Sequence, residues 1–218
     1  MSTLFDCAAP SGLLPGLRAA RQAIAKGQLV VLPTDTVYGI AADAFSPAAV
    51  ERLLAAKGRD RSAPPPVLVA EAATLDALAE DVPASVRALT ESFWPGALTV
   101  IVAARSSLAW DLGETRGTVA VRMPDHPVAL ELLRETGPLA VSSANRSGQA
   151  PATSAESAQA MLGEAVAVYL AGDTQAQAAA STIVDATDVS GQLRIVREGP
   201  VSAAEIAAVV GAENVATA

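Results

Sequence analysis

In two parts of this chain, strand-like runs follow one another with no long helix between them. LTVIVA (Leu98–Ala103) leads to TVAVR (Thr118–Arg122), and Val166–Leu170, Ser181–Val184 and Leu193–Val196 come in succession. Parallel neighbours need a crossover, ordinarily helical, whereas antiparallel neighbours need only a turn. The pattern therefore argues against a purely parallel, doubly wound sheet. Helical periodicity occupies much of the remaining chain. The fold class expected is α/β: a single domain over residues 1–218, with a twisted mixed β-sheet flanked by helices.

The run LVVL, from Leu29 to Leu32, stops at Pro33 and reads as a short buried strand. Thr34, Asp35, Thr36 and Tyr38 then crowd polar side chains together before Gly39. Such a cluster at a strand end is either a ligand site or a turn whose side chains satisfy their own backbone. This stretch alone leaves both open. Upstream, residues 1–13 read as a loose leader or an extra edge segment, and Leu17, Ala20 and Ile24 share one face of a helix ending at Gly27. Ser46-Pro47 supplies an N-cap and a first-turn proline to a helix with Val50, Leu53 and Leu54 inside, ending near Lys57 with Gly58 as its cap.

A short strand is expected at Val67–Ala70, two helical pieces between Thr74 and Phe93, a helix at Pro127–Thr136 stopped by Gly137, and a strand at Leu139–Ser142. Thr153-x-x-Glu156 and Ser202-x-x-Glu205 both read as capping boxes, the second opening a helix with Ile206, Val209 and Val210.

Composition narrows the function classes. Hydrophobic residues are 51% of the 218, which supports a packed core. No apolar run approaches the roughly 18 residues of a membrane span. The start, MSTLFDCAAP, has neither the basic nor the apolar region of a signal peptide, so the cytoplasm is the expected location. Cys7 is the single cysteine, which leaves no internal disulfide and no metal-type cysteine spacing. A net charge of −8 argues against a surface that clamps nucleic acid while allowing a local basic cleft.

No Walker loop, Gly-x-Gly-x-x-Gly or Gly-x-Ser-x-Gly elbow is present. The one histidine, His126, precedes Pro127 and reads as a helix-start or surface residue. What remains is a set of basic and hydroxyl groups where strands and helices end: Lys57 and Arg59, Arg122, the run Ser142, Ser143, Asn145 and Ser147, and Arg197. Strand and helix ends can converge on one cleft. Guanidinium and ammonium groups there would neutralise phosphate or carboxylate, and backbone N–H groups of a Ser- and Gly-rich loop can hold phosphate oxygens. Catalysis would then rest on positioning and charge stabilisation.

PTDTVYG (33–39), KGR (57–59), FWPGALT (93–99), VAVRMP (119–124), SSANRSG (142–148), STIVD (181–185) and RIVREGP (194–200) occur in this order. Together they resemble the YrdC-like family of L-threonylcarbamoyladenylate synthases, over roughly residues 17–210. The resemblance implies a twisted open sheet with a large concave cavity. It also implies a reaction joining L-threonine, bicarbonate and ATP, with Mg2+, to give threonylcarbamoyl-AMP and pyrophosphate. A partner transferase would then modify an adenosine of tRNA.

The family's K-x-R and S-x-N tetrad falls on Lys57, Arg59, Ser143 and Asn145. By the same matching Thr36, Arg122, Ser142 and Ser181 meet threonine, and Arg59, Thr118, Ala144 and Arg197 meet ATP. No protein metal ligand is implied, since phosphates and water would hold the magnesium. One block departs from the pattern: Asp60 stands for the family's proline, Ala63 for a Lys or Asn, and Pro65-Pro66 for an apolar pair. That removes a polar contact to ATP from position 63, for which Arg61 offers a replacement charge, and predicts a weaker hold on ATP or a different loop movement. Two other readings keep the fold and change the function: a weak RNA-binding module, and a paralogue without this activity.

Overall fold

In the computed structural model, which describes residues 2–172 and 179–216, eleven strands form one mixed sheet. In chain order the strands are β1 (Thr3–Asp6), β2 (Val30–Leu32), β3 (Gly39–Asp43), β4 (Val67–Leu68), β5 (Leu98–Ala103), β6 (Thr118–Arg122), β7 (Leu139–Ser143), β8 (Val168–Ala171), β9 (Thr182–Asp185), β10 (Leu193–Arg197) and β11 (Val215–Ala216). The helices are α1 (Pro10–Ala25), α2 (Pro47–Lys57), α3 (Thr74–Leu78), α4 (Ala84–Phe93), α5 (Pro127–Thr136), α6 (Ala155–Leu162) and α7 (Ala203–Val210). Across the sheet the order is β1-β8-β2-β3-β7-β4-β6-β5-β9-β10-β11. The directly connected pairs β5/β6 and β9/β10 are antiparallel, as the missing crossovers require. β8 and β9, successive in sequence, lie in opposite halves of the sheet.

Local signals account for most boundaries. At α2, the Ser46 hydroxyl accepts from the Ala49 N–H, Pro47 opens the first turn, and Gly58 closes the helix at φ +63°, a left-handed position that a Cβ would strain. The N-terminal segment is the edge strand β1, parallel to β8. Three expectations are corrected. The stretch from Leu29 to Ala42 holds two strands, since Gly39–Asp43 pairs antiparallel with β2 and turns Pro33–Tyr38 into a hairpin loop. The first capping box sits one residue later than its sequence signature, with Ser154 and Ser157 as the reciprocal partners and Glu156 left in the first turn. His126 is the N-cap residue of α5, as its helix-start reading has it, while the surface alternative is corrected because the residue is buried.

The side chains of each strand alternate between faces, and the two faces are covered differently. One carries a continuous core in which Val67, Val100, Val119, Val121 and Val184 meet Leu53 of α2, Leu89 of α4, Leu162 of α6 and Ile206 of α7. On the other, α1 and α5 cover the half built from β1, β8, β2, β3 and β7, burying Leu17, Ala20, Leu132 and Leu133 against Val30, Ala41, Leu139 and Leu170. That cover does not extend over β6, β5, β9 and β10. Their residues of the same pleat, Thr99, Ile101, Thr118, Ala120, Arg122 and Ile183, line a concavity instead.

Candidate active site

The concavity is a cavity of about 520 Å3 floored by these strands. It brings together Thr34, Thr36, Arg59, Thr118, Arg122, Ser142, Ser143, Asn145, Ser181 and Arg197 of the residues singled out above. Lys57 and Ala144 are not among its lining residues.

At one end the hairpin loop and the end of β6 meet. Arg122 is buried, and burial pulls its pKa down while the facing Asp35 opposes that shift. Its Nη2 donates to Asp35 Oδ1 at 2.5 Å, its Nη1 to Thr36 Oγ1 at 2.7 Å, and its Nε to the Gly96 carbonyl at 2.9 Å. Of the five N–H donors of a guanidinium, two make no bond among the described residues.

In the middle, β7 runs into the segment 144–149. Lys57, at the end of α2, is 1% exposed. Its Nζ donates to the main-chain carbonyls of Ser143 and Asn145, the latter at 2.8 Å. Burial, and then the charge of Arg59, lower its pKa from 10.5 to about 8. Lys57 was expected to offset substrate charge directly; the structure commits its ammonium to shaping the loop that bears Ser143 and Asn145. Arg59 is exposed and lines the cavity, with no side-chain bond among the described residues. The Asn145 Nδ2 donates to the carbonyls of Arg146 and Gln149 at 2.8 and 2.7 Å, which fixes the amide orientation. Its buried Oδ1 is left without a partner among the described residues. Ala144, matched above to ATP, has its methyl in the core and its N–H on the Tyr38 carbonyl. Ser142 lies on the other pleat, across from Ile40, yet still contributes to the lining.

Beside Arg122, where β5 and β9 begin, Arg197 forks onto the Ser181 carbonyl through Nε (2.9 Å) and Nη2 (2.7 Å), and the Ser181 hydroxyl shares a bond of 2.8 Å with Thr99. Arg197 reaches this face because of an irregularity in β10. Ile195 pairs with Val184 on the core pleat, but Arg197 pairs with Ile183 on the cavity pleat, so one extra residue has turned the side chain over. Thr99 lines the cavity without being singled out above, and Asp35, above only one member of the polar cluster left open between ligand site and turn, holds Arg122 without lining the cavity. A lone Thr inside LTVIVA, at a position its alternation assigns to a face, was the available signal.

The roof is Pro64, Pro65 and Pro66 with Leu112 and Thr115. Arg61 does not supply a charge to the cavity, because it pairs with Asp111 at 2.6 Å and so ties the proline loop to the connection between β5 and β6. The Glu114 N–H on the Arg61 carbonyl, at 2.7 Å, adds a second tie. Among the described residues no group of three or more His, Cys, Asp or Glu could hold a metal, and no helix is long and apolar enough to cross a membrane.

Comparison with known proteins adds independent findings. The Sua5/YciO/YrdC family, described as "Telomere recombination", matches residues 22–199. A Mycobacterium tuberculosis protein, provisionally named a threonylcarbamoyl-AMP synthase, is 53% identical over 213 residues, covering 98% of this chain and 97% of that one. The threonylcarbamoyl-AMP synthase of Bacillus subtilis is 36% identical over 199 residues, covering 90% of this chain and 57% of its own. Two structures of Pyrococcus abyssi Sua5 superpose closely. A doubly substituted form has TM-score 0.91 at 31% identity, over 99% of this chain and 62% of that one. A complex with L-threonine has TM-score 0.85 at 33% identity, over 92% and 58%.

Proposed function

This chain belongs to the Sua5/YciO/YrdC family, and from that premise we propose that it is an L-threonylcarbamoyladenylate synthase, a nucleotidyltransferase acting on L-threonine, bicarbonate and ATP. The observation that carries the reading is the polarity of the cavity: a buried guanidinium and hydroxyl at one end, Arg122 and Thr36, and exposed guanidinium groups on its walls, Arg59 and Arg197. The first suits the carboxylate and a donor group of an amino acid. The second suits a triphosphate, whose charge develops further as the anhydride bond breaks. The threonine complex of P. abyssi Sua5 supports the same assignment.

The chemistry asks little of a protein base. The threonine amine adds to the bicarbonate carbon and water leaves, giving a carbamate. A carbamate oxygen then attacks the α-phosphorus of ATP, the bond from that phosphorus to the bridging oxygen breaks, and pyrophosphate departs. Arg122 and Thr36, with Ser181 and Ser142 nearby, would hold threonine. Arg59, Thr118 and Arg197 would meet the phosphates and ribose, and Asn145 Oδ1 would accept from a nucleoside N–H or O–H. ATP would arrive as its magnesium complex, the ion held by phosphates and water. The product, a reactive mixed anhydride, would pass to a transferase acting on tRNA.

The test is pyrophosphate release by the purified protein with ATP and magnesium, with and without threonine and bicarbonate. Release should require both co-substrates and should fall about 100-fold or more in Arg59→Ala, the scale for removing one group that stabilises developing charge. Absence of release from folded protein with every substrate present would overturn the assignment.

A further inference from the structure

We infer that Asp35 and Thr34 are positioning residues that set the hydrogen-bond polarity of the amino-acid end, presenting Arg122 as a donor and Thr36 as an acceptor. The inference rests on the function proposed above and extends it to two residues that act through Arg122 and Thr36, Asp35 from outside the cavity lining and Thr34 from within it.

The proton positions follow from the acceptors. Thr34 Oγ1 lies 2.6 Å from the Val37 carbonyl, which can only accept, so the Thr34 proton points there. Thr34 Oγ1 also receives the Thr36 N–H at 3.2 Å. Of the two hydroxyls 3.0 Å apart, Thr36 must therefore be the donor and Thr34 the acceptor. Thr36 Oγ1 in turn accepts from Arg122 Nη1 at 2.7 Å. With its proton committed to Thr34, Thr36 can offer a ligand only its remaining lone pair. It can accept from an ammonium or a hydroxyl and cannot donate to a carboxylate.

Asp35 fixes the other partner. Its Oδ1 takes Arg122 Nη2 at 2.5 Å and the Asp125 N–H at 3.0 Å, with side-chain exposures of 7% for Arg122 and 11% for Asp35. Asp35 is not among the cavity-lining residues. It holds the guanidinium plane from behind and offsets its charge in a buried setting. A zwitterionic amino acid matches the result: carboxylate on the free N–H groups of Arg122, a donor on Thr36.

Thr34→Val keeps the shape and frees the Thr36 proton, while Thr34→Ser restores the hydroxyl. Asp35→Asn removes the charge, with thermal melting to check folding. Steady-state pyrophosphate release gives KM for L-threonine and for ATP, and calorimetry with L-threonine alone gives its affinity without turnover. Thr34→Val and Asp35→Asn should each weaken L-threonine about 10-fold or more, the range for a charge-assisted bond, with KM for ATP within about twofold, and Thr34→Ser should recover most of the loss. Equal shifts for both substrates, no shift for threonine, or no recovery in Thr34→Ser would overturn the inference while leaving an active wild type, and with it the proposed function, in place. A wild type that neither binds threonine nor turns over would overturn both.

Discussion

Lys57→Met is expected to lose about 2 kcal/mol or more of folding stability in a urea titration and at least about 100-fold in threonine-dependent pyrophosphate release. The side chain is 1% exposed and carries no carboxylate partner among the described residues. Its ammonium instead donates to the carbonyls of Ser143 and Asn145. Methionine fills much of the same volume and leaves both carbonyls without that donor, each costing about 1–3 kcal/mol when buried. Some of this is returned because a buried charge disappears. Activity falls because the segment bearing Ser143 and Asn145 loses the tie that sets its path, although Lys57 itself does not line the cavity. Unchanged stability together with lost activity would instead mean that Lys57 touches substrate.

The same lysine gives a pH signature of definite sign. Its folded pKa, about 8, lies below its ordinary 10.5. Between those values the unfolded chain holds a proton that the folded one has released, so the contribution of Lys57 to stability rises with pH over that window and is lost as pH falls through about 8. Cys7 acts oppositely on stability, since burial raises its thiol from 9.0 to about 11. The difference between wild type and Lys57→Met, which share Cys7, isolates the lysine.

Much of the architecture was legible because local signals agreed with the global arrangement. Ser46, Pro47 and Gly58 mark α2, and the strand pairs without a helix between them require antiparallel neighbours. What escaped was what depends on pairing. β3 hides behind the polar hairpin loop, because GIAA in isolation does not announce its partner β2. Arg197 could be named from its block, but its direction depends on a one-residue irregularity against β9 that no periodicity contains. Lys57 and Arg59 are two positions apart in one motif and have opposite fates, one buried on carbonyls and one exposed at the cavity. Arg61 looked free to serve ATP, and only the approach of the Asp111 loop showed otherwise. Asp35 stood in view in the sequence, yet its value lies in a guanidinium on a strand far along the chain.

Thr182→Val should be the most destabilising change of a single hydroxyl among those considered, at about 3 kcal/mol or more, with Thr182→Ser within about 1 kcal/mol of wild type. Thr182 is fully buried at the start of β9. Its hydroxyl donates to the Val201 carbonyl at 2.6 Å and accepts the N–H groups of Gly199 and Val201 at 2.9 and 3.1 Å. One oxygen thus satisfies the turn that follows β10, and valine would leave all three main-chain groups without it. The turn has no slack to recover them, because a Cβ at Gly199 would come within 2.2 Å of the Ala180 carbonyl. That tightness also serves the cavity: the turn holds the end of β10 against the start of β9, where Arg197 forks onto Ser181. The variant should therefore raise KM for ATP as well as lower the denaturation midpoint, and Thr182→Ser should restore both. A midpoint shift without any change in KM for ATP would separate the turn from the site and leave Thr182 a purely structural residue.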